Sequence, residues 1–116
     1  VRVLVCGGRN FTDWQTVRNT LRNLIAERGL ITAIIHGGAS GADRMAHVFA
    51  DFQRVPCETF KADWEAHGKA AGPIRNRRMI DEGKPDLVVA FPGGRGTADM
   101  IRRAKAAGIE VIEVRP

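Results

Sequence analysis

Three glycine-bearing turns carry most of the chemistry this chain can offer: Gly7-Gly8-Arg9, Gly37-Gly38-Ala39-Ser40-Gly41 and Pro92-Gly93-Gly94-Arg95-Gly96-Thr97. In the last of these, the apolar run Leu87-Val88-Val89-Ala90-Phe91 breaks abruptly into glycines and then into a helix-forming segment. Glycine lets a backbone approach an anion closely, and the helix behind it supplies unpaired N–H groups and the positive end of its dipole. One such turn is weak evidence, because tight strand-to-helix connections need glycine for structural reasons alone. Three that share one edge of a sheet indicate a phosphate or nucleotide site. None carries the Gly-Lys-Ser/Thr of a Walker loop or the Gly-x-Gly-x-x-Gly of a dinucleotide fold, so routine triphosphate hydrolysis and dinucleotide redox chemistry lose ground.

The side chains around these turns add hydroxyls and charges. Ser40 and Thr97 can hydrogen-bond phosphate, and Arg9 and Arg95 stand at the turns as anion contacts. Ser40 has no histidine–acid partner visible in sequence, which argues against a nucleophile. Asp43 follows the second turn at a helix start, where capping backbone N–H groups and contacting a ligand are equally good readings. Glu65 lies on an irregular segment where function is commonly placed, although a solvated surface role suits it as well. Trp64 can stack on a base or anchor its loop; its neighbours Phe60, Ala62 and Ala66 favour anchoring. No metal is expected. His47 offers only a His-x-x-x-Asp spacing to Asp51, and neither Cys6 nor Cys57 sits in a metal-ligand spacing with the three histidines.

These residues need a scaffold, and the apolar periodicity supplies one. Val1–Cys6, Ile31–Ile35, Val55–Phe60, Asp86–Phe91 and Ile109–Val114 read as short, nearly continuous apolar strands. Between them, Trp14–Arg28, Ala42–Gln53, Pro73–Glu82 and Thr97–Ala107 have helical spacing, with Asp13 or Thr12 as a cap and Gly29, Gly83 and Gly108 as stops. Lys61–Gly72 reads as irregular. Strands alternating with helices predict an α/β fold, a parallel sheet covered on both faces. All three glycine turns leave strands directly, so they must lie together at the carboxyl edge, where open parallel sheets bind ligands.

Composition sets wider limits. A chain of 116 residues fits one compact domain, here residues 1–116, with no linker, repeat or low-complexity tract. At 44% hydrophobic and 27% charged, with no apolar run of membrane-span length and no basic-then-apolar leader, it is expected to be cytoplasmic. The two cysteines are expected to be buried thiols. A net charge of +5 points to an anionic partner. Arg75, Arg77, Arg78, Arg95, Arg102, Arg103 and Lys105 flank the glycine turns in the second half, although for the last three a solvated helix face suffices.

Pro92-Gly93-Gly94-Arg95-Gly96-Thr97 resembles the Pro-Gly-Gly-x-Gly-Thr-x-x-Glu motif of the Lonely Guy phosphoribohydrolases, and Arg75-Asn76-Arg77-Arg78-Met79 resembles their Arg-Lys-x-x-Met segment. Gly37-Gly38-Ala39-Ser40-Gly41-Ala42-Asp43, followed by Ala46-His47, is similar to a pattern of DNA-processing protein A. Both belong to the SLOG superfamily. Ala62-Asp63-Trp64 and Gly68-Lys69-Ala70-Ala71-Gly72-Pro73-Ile74-Arg75-Asn76 look most like its small YspA or cpYpsA-related branch. The resemblance covers essentially the whole chain. It implies a Rossmann-like three-layer fold, strand order 3-2-1-4-5, nucleotide binding without a further cofactor, and pairing into homodimers.

In the phosphoribohydrolases the glycine motif holds the 5′-phosphate, while the arginine and the final glutamate serve cleavage between base and ribose. The resemblance therefore gives Gly93, Gly94, Gly96 and Thr97 to phosphate and matches Arg75 to the family arginine. At the glutamate position stands Met100. Breaking an N-glycosidic bond develops positive charge on the ribose, which a carboxylate stabilises and a thioether cannot. Asp99 is adjacent, but one step along a helix turns a side chain by about 100°, and an acidic residue suits the first turn of a helix on dipole grounds alone. Arg75, Glu65 and Asp99 are thus the catalytic candidates of a nucleotide hydrolase. The alternative is a nucleotide sensor without catalysis. A single-stranded nucleic acid ligand ranks third, because aromatic residues make up only 6% of the chain.

Overall fold

Alternating side-chain direction along β1 (Arg2–Cys6) organises two cores. Val3 and Val5 point to one face of the sheet and join Val17, Leu21 and Leu24 of α1 (Trp14–Arg28) and Ala46 and Phe49 of α2 (Ala42–Gln53). Leu4 and Cys6 point to the other, against Met79 of α4 (Ala71–Asp81) and Met100 and Ala104 of α5 (Arg95–Ala106). A short helix α3 (Trp64–His67) precedes α4. The computed structural model describes residues 1–115.

The sheet contains β2 (Ala33–His36), β3 (Cys57–Thr59), β4 (Leu87–Ala90) and β5 (Glu110–Glu113) beside β1, in the order β3-β2-β1-β4-β5. Every pairing is parallel. This is the α/β, Rossmann-like arrangement and strand order that the resemblance implied. The chain runs outward from β1 to β3, then returns to the other side of β1 as β4, so strand order reverses between β1 and β4. No helix among the described residues is long and apolar enough to cross a membrane.

Local chemistry sets the element ends. Asp13 is the cap of α1: its Oδ1 accepts from the Thr16 N–H at 3.1 Å. The segment expected to be irregular, Lys61–Gly72, is more ordered than its composition indicates. Asp63 Oδ1 accepts from the Ala66 N–H at 3.0 Å and starts α3, and a 3₁₀ turn over Gly68–Ala70 leads into α4. That helix begins at Ala71, ahead of Pro73, because proline is tolerated anywhere in a first turn that lacks intrahelical acceptors. The outer strands are shorter than their apolar runs, and β5 is half exposed at the sheet edge rather than fully buried.

Met100 is fully buried in the second core. A carboxylate introduced there has no solvent and no partner, so Met100→Glu is expected to lower unfolding free energy by at least about 3 kcal/mol in urea denaturation rather than to install a catalytic group.

Candidate functional site

The three glycine turns are bonded into one another. The Gly8 N–H donates to Pro92 O at 2.8 Å, the Ala42 N–H to Gly8 O at 3.3 Å, and Ser40 Oγ to Arg9 O at 3.1 Å. Side chains have no room at the crossings. A Cβ on Gly93 would stand 2.7 Å from Gly8 N, and one on Gly41 would collide with the backbone of Gly8 and Arg9. Gly41 also holds φ +73°, in the left-handed region that favours glycine.

Helix α4 ties the second turn to the third. Arg75 Nη1 donates to Gly37 O at 2.7 Å, and Arg75 Nε donates to Asn76 Oδ1 at 3.0 Å. Asn76 Nδ2 then donates to Gly96 O at 3.1 Å and to Asp99 Oδ2 at 3.0 Å. Asn76 is buried, and its amide answers donors and acceptors on both sides. Between the turns lies a cavity of about 1160 Å³.

Backbone donors are unequally available around this cavity. In the second turn Asp43 Oδ2 accepts from the N–H groups of Gly37 at 3.0 Å and Ala39 at 3.2 Å, while Gly38 donates to His36 Nδ1 at 3.0 Å. The third turn differs. The first intrahelical bond of α5 runs from Ala98 N to Gly94 O, so the N–H groups of Arg95, Gly96 and Thr97 have no acceptor within the helix. Cβ atoms on Gly94 or Gly96 would meet open space.

A family model described as YspA, cpYpsA-related SLOG family matches residues 1–67. The chain is also 42% identical to the Gene 61 protein of Mycobacterium phage D29, over 96% of this chain and 94% of that protein. This protein belongs to the YspA, cpYpsA-related SLOG family. Its fold is similar to the X-ray structure of DNA processing protein A (DprA) from Streptococcus pneumoniae, with a TM-score of 0.78 and 20% identity over 99% of this chain. The chain spans 50% of that DprA chain, and at this identity the likeness speaks for the fold.

The residues expected to bind phosphate in this family member mostly converge. Gly7, Gly8, Arg9, Gly37, Gly38, Ser40, Asp43, Gly93, Gly94, Arg95, Gly96 and Thr97 line the cavity, as does Arg75. Gly41 stands behind the wall as the backbone support just described. Glu65 and Asp99 are not part of the lining. Glu65 is exposed in the first turn of α3. Asp99 is held by Arg103 Nε at 2.8 Å, Asn76 Nδ2 at 3.0 Å and Arg102 Nη2 at 3.5 Å. Partial burial opposes its ionisation, yet the hydrogen bonds from Arg103 and Asn76 together hold its carboxyl below the usual range. It acts as a brace of α5. Trp64 is 61% exposed and lines the cavity beside Gly72, rather than packing into the sheet.

Sequence reasoning had passed over Asn76 as a site residue, along with Asn10 and Lys61 of the lining. Only the Arg-Asn pair in the quoted family segment signalled it. Among the described residues of the wall, Asp43 is the single carboxylate, facing the cations Arg9, Lys61, Arg75 and Arg95. Burial raises its carboxyl to about 6, against the backbone bonds and the Arg75 charge that favour ionisation. Burial likewise lowers the Arg75 guanidinium and lifts the Cys6 thiol to about 12.

A carboxyl raised from 3.8 to about 6 keeps its proton in the folded state after the unfolded chain has lost it. Its contribution is therefore most favourable below the lower value and declines as pH rises through the upper one. His36, lowered to about 4 by burial and the neighbouring His47, works in the opposite sense over an overlapping window. Comparison with Asp43→Asn isolates the first effect: the stability of the wild type relative to the variant should fall by roughly 1–3 kcal/mol between pH 4 and pH 7 in denaturation curves.

Proposed function

We propose that the cavity binds a nucleotide or nucleotide derivative, with its phosphate at the N-terminus of α5. The observation that carries this reading is the composition of the wall: four cations and one carboxylate around a turn in which Gly94 and Gly96 leave open space where side chains would stand. Free N–H groups at a helix start favour an anion on both hydrogen-bond and dipole grounds. The Thr97 hydroxyl adds a donor, Arg9 and Arg95 neutralise charge, and Trp64 offers a face for a base at the rim. Phe11 and Trp64 are the aromatic residues of the wall, which gives one exposed stacking position rather than the series a nucleic acid strand uses.

Binding without turnover is the reading preferred here, because Met100 is buried, Asp99 is braced and Glu65 stands outside the wall. One observation supports N-glycosidic hydrolysis as the second reading: Asp43 lies in the wall with a carboxyl poised near 6 and Arg75 beside it. The homodimer expected of the family is proposed on the same footing, with Val48 and Phe52 exposed along α2 as its apolar contacts.

A panel of nucleoside monophosphates and related nucleotides, read by thermal shift, tests the preferred reading. At least one member should raise the melting temperature, and Gly96→Leu should abolish that rise while the ligand-free protein melts at or above the wild-type temperature, since leucine is the better helix former. A panel without any shift rejects the reading. Chromatography of the same mixtures decides between binding and hydrolysis: free base released by the wild type and lost in Asp43→Asn assigns catalysis to Asp43, and no release across the panel leaves a binding protein.

A further inference from the structure

Outside the lining of the cavity cations, three side chains of metal-ligand type meet at the far side of β2. His36 ends β2, His47 lies on α2 and Cys57 opens β3. His36 Nε2 is 2.9 Å from His47 Nδ1, and these two nitrogens and Cys57 Sγ all lie within 4.8 Å of one another. The imidazoles meet edge to face, with centroids 5.1 Å apart and an interplanar angle of 82°, and their facing nitrogens are the hydrogen-bonded pair. Thr59 Oγ1 stands 3.3 Å from the same His36 nitrogen.

Hydrogen bonds define the proton arrangement of this cluster. Because His36 Nδ1 accepts from the Gly38 N–H, its Nε2 carries the ring proton and donates to His47 Nδ1. The His47 proton then sits on Nε2, facing Asp51 Oδ2 at 3.9 Å. The His47 lone pair thus accepts within the cluster, and the Asp51 carboxylate behind the ring stands about one ångström beyond the hydrogen bond that an outer partner of a metal-bound histidine makes.

We infer that His36 Nε2, His47 Nδ1 and Cys57 Sγ form a binding site for a thiophilic divalent cation, zinc being the best match. Tetrahedral zinc takes nitrogen at about 2.0–2.1 Å and thiolate at about 2.3 Å, which sets ligand atoms about 3.3–3.7 Å apart. The two nitrogens have to part slightly and the sulfur to draw in. Water or the Thr59 hydroxyl completes the fourth position. On binding, the hydrogen bond from His36 Nε2 to His47 Nδ1 breaks and the metal–His47 bond forms at the Nδ1 lone pair it frees. The metal–His36 bond requires the ring proton to move from Nε2 to Nδ1, which breaks the bond from Gly38. The metal–sulfur bond requires the thiol proton to leave for solvent, so one proton is released per cation. His47, with its side chain 43% exposed, is the route of entry.

The site draws its ligands from a strand end, a helix and an edge strand, so no motif announces it. None of its three ligands lines the glycine cavity. Cobalt(II) titration of the reduced full chain tests it directly. One cobalt per chain should give a thiolate-to-cobalt charge-transfer band and the intense visible bands of four-coordination. Cys57→Ser should remove the charge-transfer band, whereas Cys6→Ser retains it. Zinc competition against a chromophoric chelator should show affinity falling in His47→Gln by at least the roughly 10–100-fold that loss of an outer partner alone produces. His47 and Cys57 are both outside the fully buried core, and circular dichroism verifies each fold. A six-coordinate cobalt spectrum, or wild-type zinc affinity in both folded variants, overturns the assignment.

Discussion

The close crossing of three strand-to-helix turns is the constraint on which the rest of this molecule depends. Gly8 donates to Pro92 O, and its own carbonyl accepts from Ala42, so the exits of β1, β2 and β4 share one backbone network. That network forms only where Cβ atoms are missing, as at Gly93 beside Gly8 and at Gly41 against the Gly8–Arg9 backbone. Arg75 and Asn76 then span the second and third turns from α4. Their buried polar groups are expensive to leave unpaired, so the helix that carries them is held in register with both turns.

Within that network, backbone donors divide their labour. The second turn spends the N–H groups of Gly37, Gly38 and Ala39 internally, on Asp43 and His36, which stiffens it. The third turn leaves its donors at a helix start, with open space where the Gly94 and Gly96 side chains would be. Glycine therefore plays two roles on one rim. At Gly41 and Gly93 it permits the crossing; at Gly94 and Gly96 it clears a volume.

Periodicity and glycine placement made most of the scaffold legible. The strands, the alternation and the shared edge of the turns followed from apolar runs such as Leu87–Phe91, and the strand order from the family resemblance. Lys61–Gly72 was misread because a single side chain, Asp63, nucleates a helix too short to show a periodic pattern. Asp43 was legible as a residue of the turn, but its carboxylate accepts from Gly37 and Ala39 of the turn before it rather than from the start of α2, and it lines the cavity. Asp99 and Glu65 were harder. Whether a carboxylate reaches a cavity or is tied up by Arg103 and Asn76 depends on packing angles that spacing does not encode. The meeting of His36, His47 and Cys57 is likewise a product of the β2–β3 pairing and the seating of α2.

Gly38 belongs to two neighbourhoods at once: it forms part of the cavity wall, and its amide is spent on the ring of His36. A change of tautomer that puts the ring proton on Nδ1 would leave that amide without its acceptor. A single peptide N–H thus joins the far side of β2 to the mouth of the sheet.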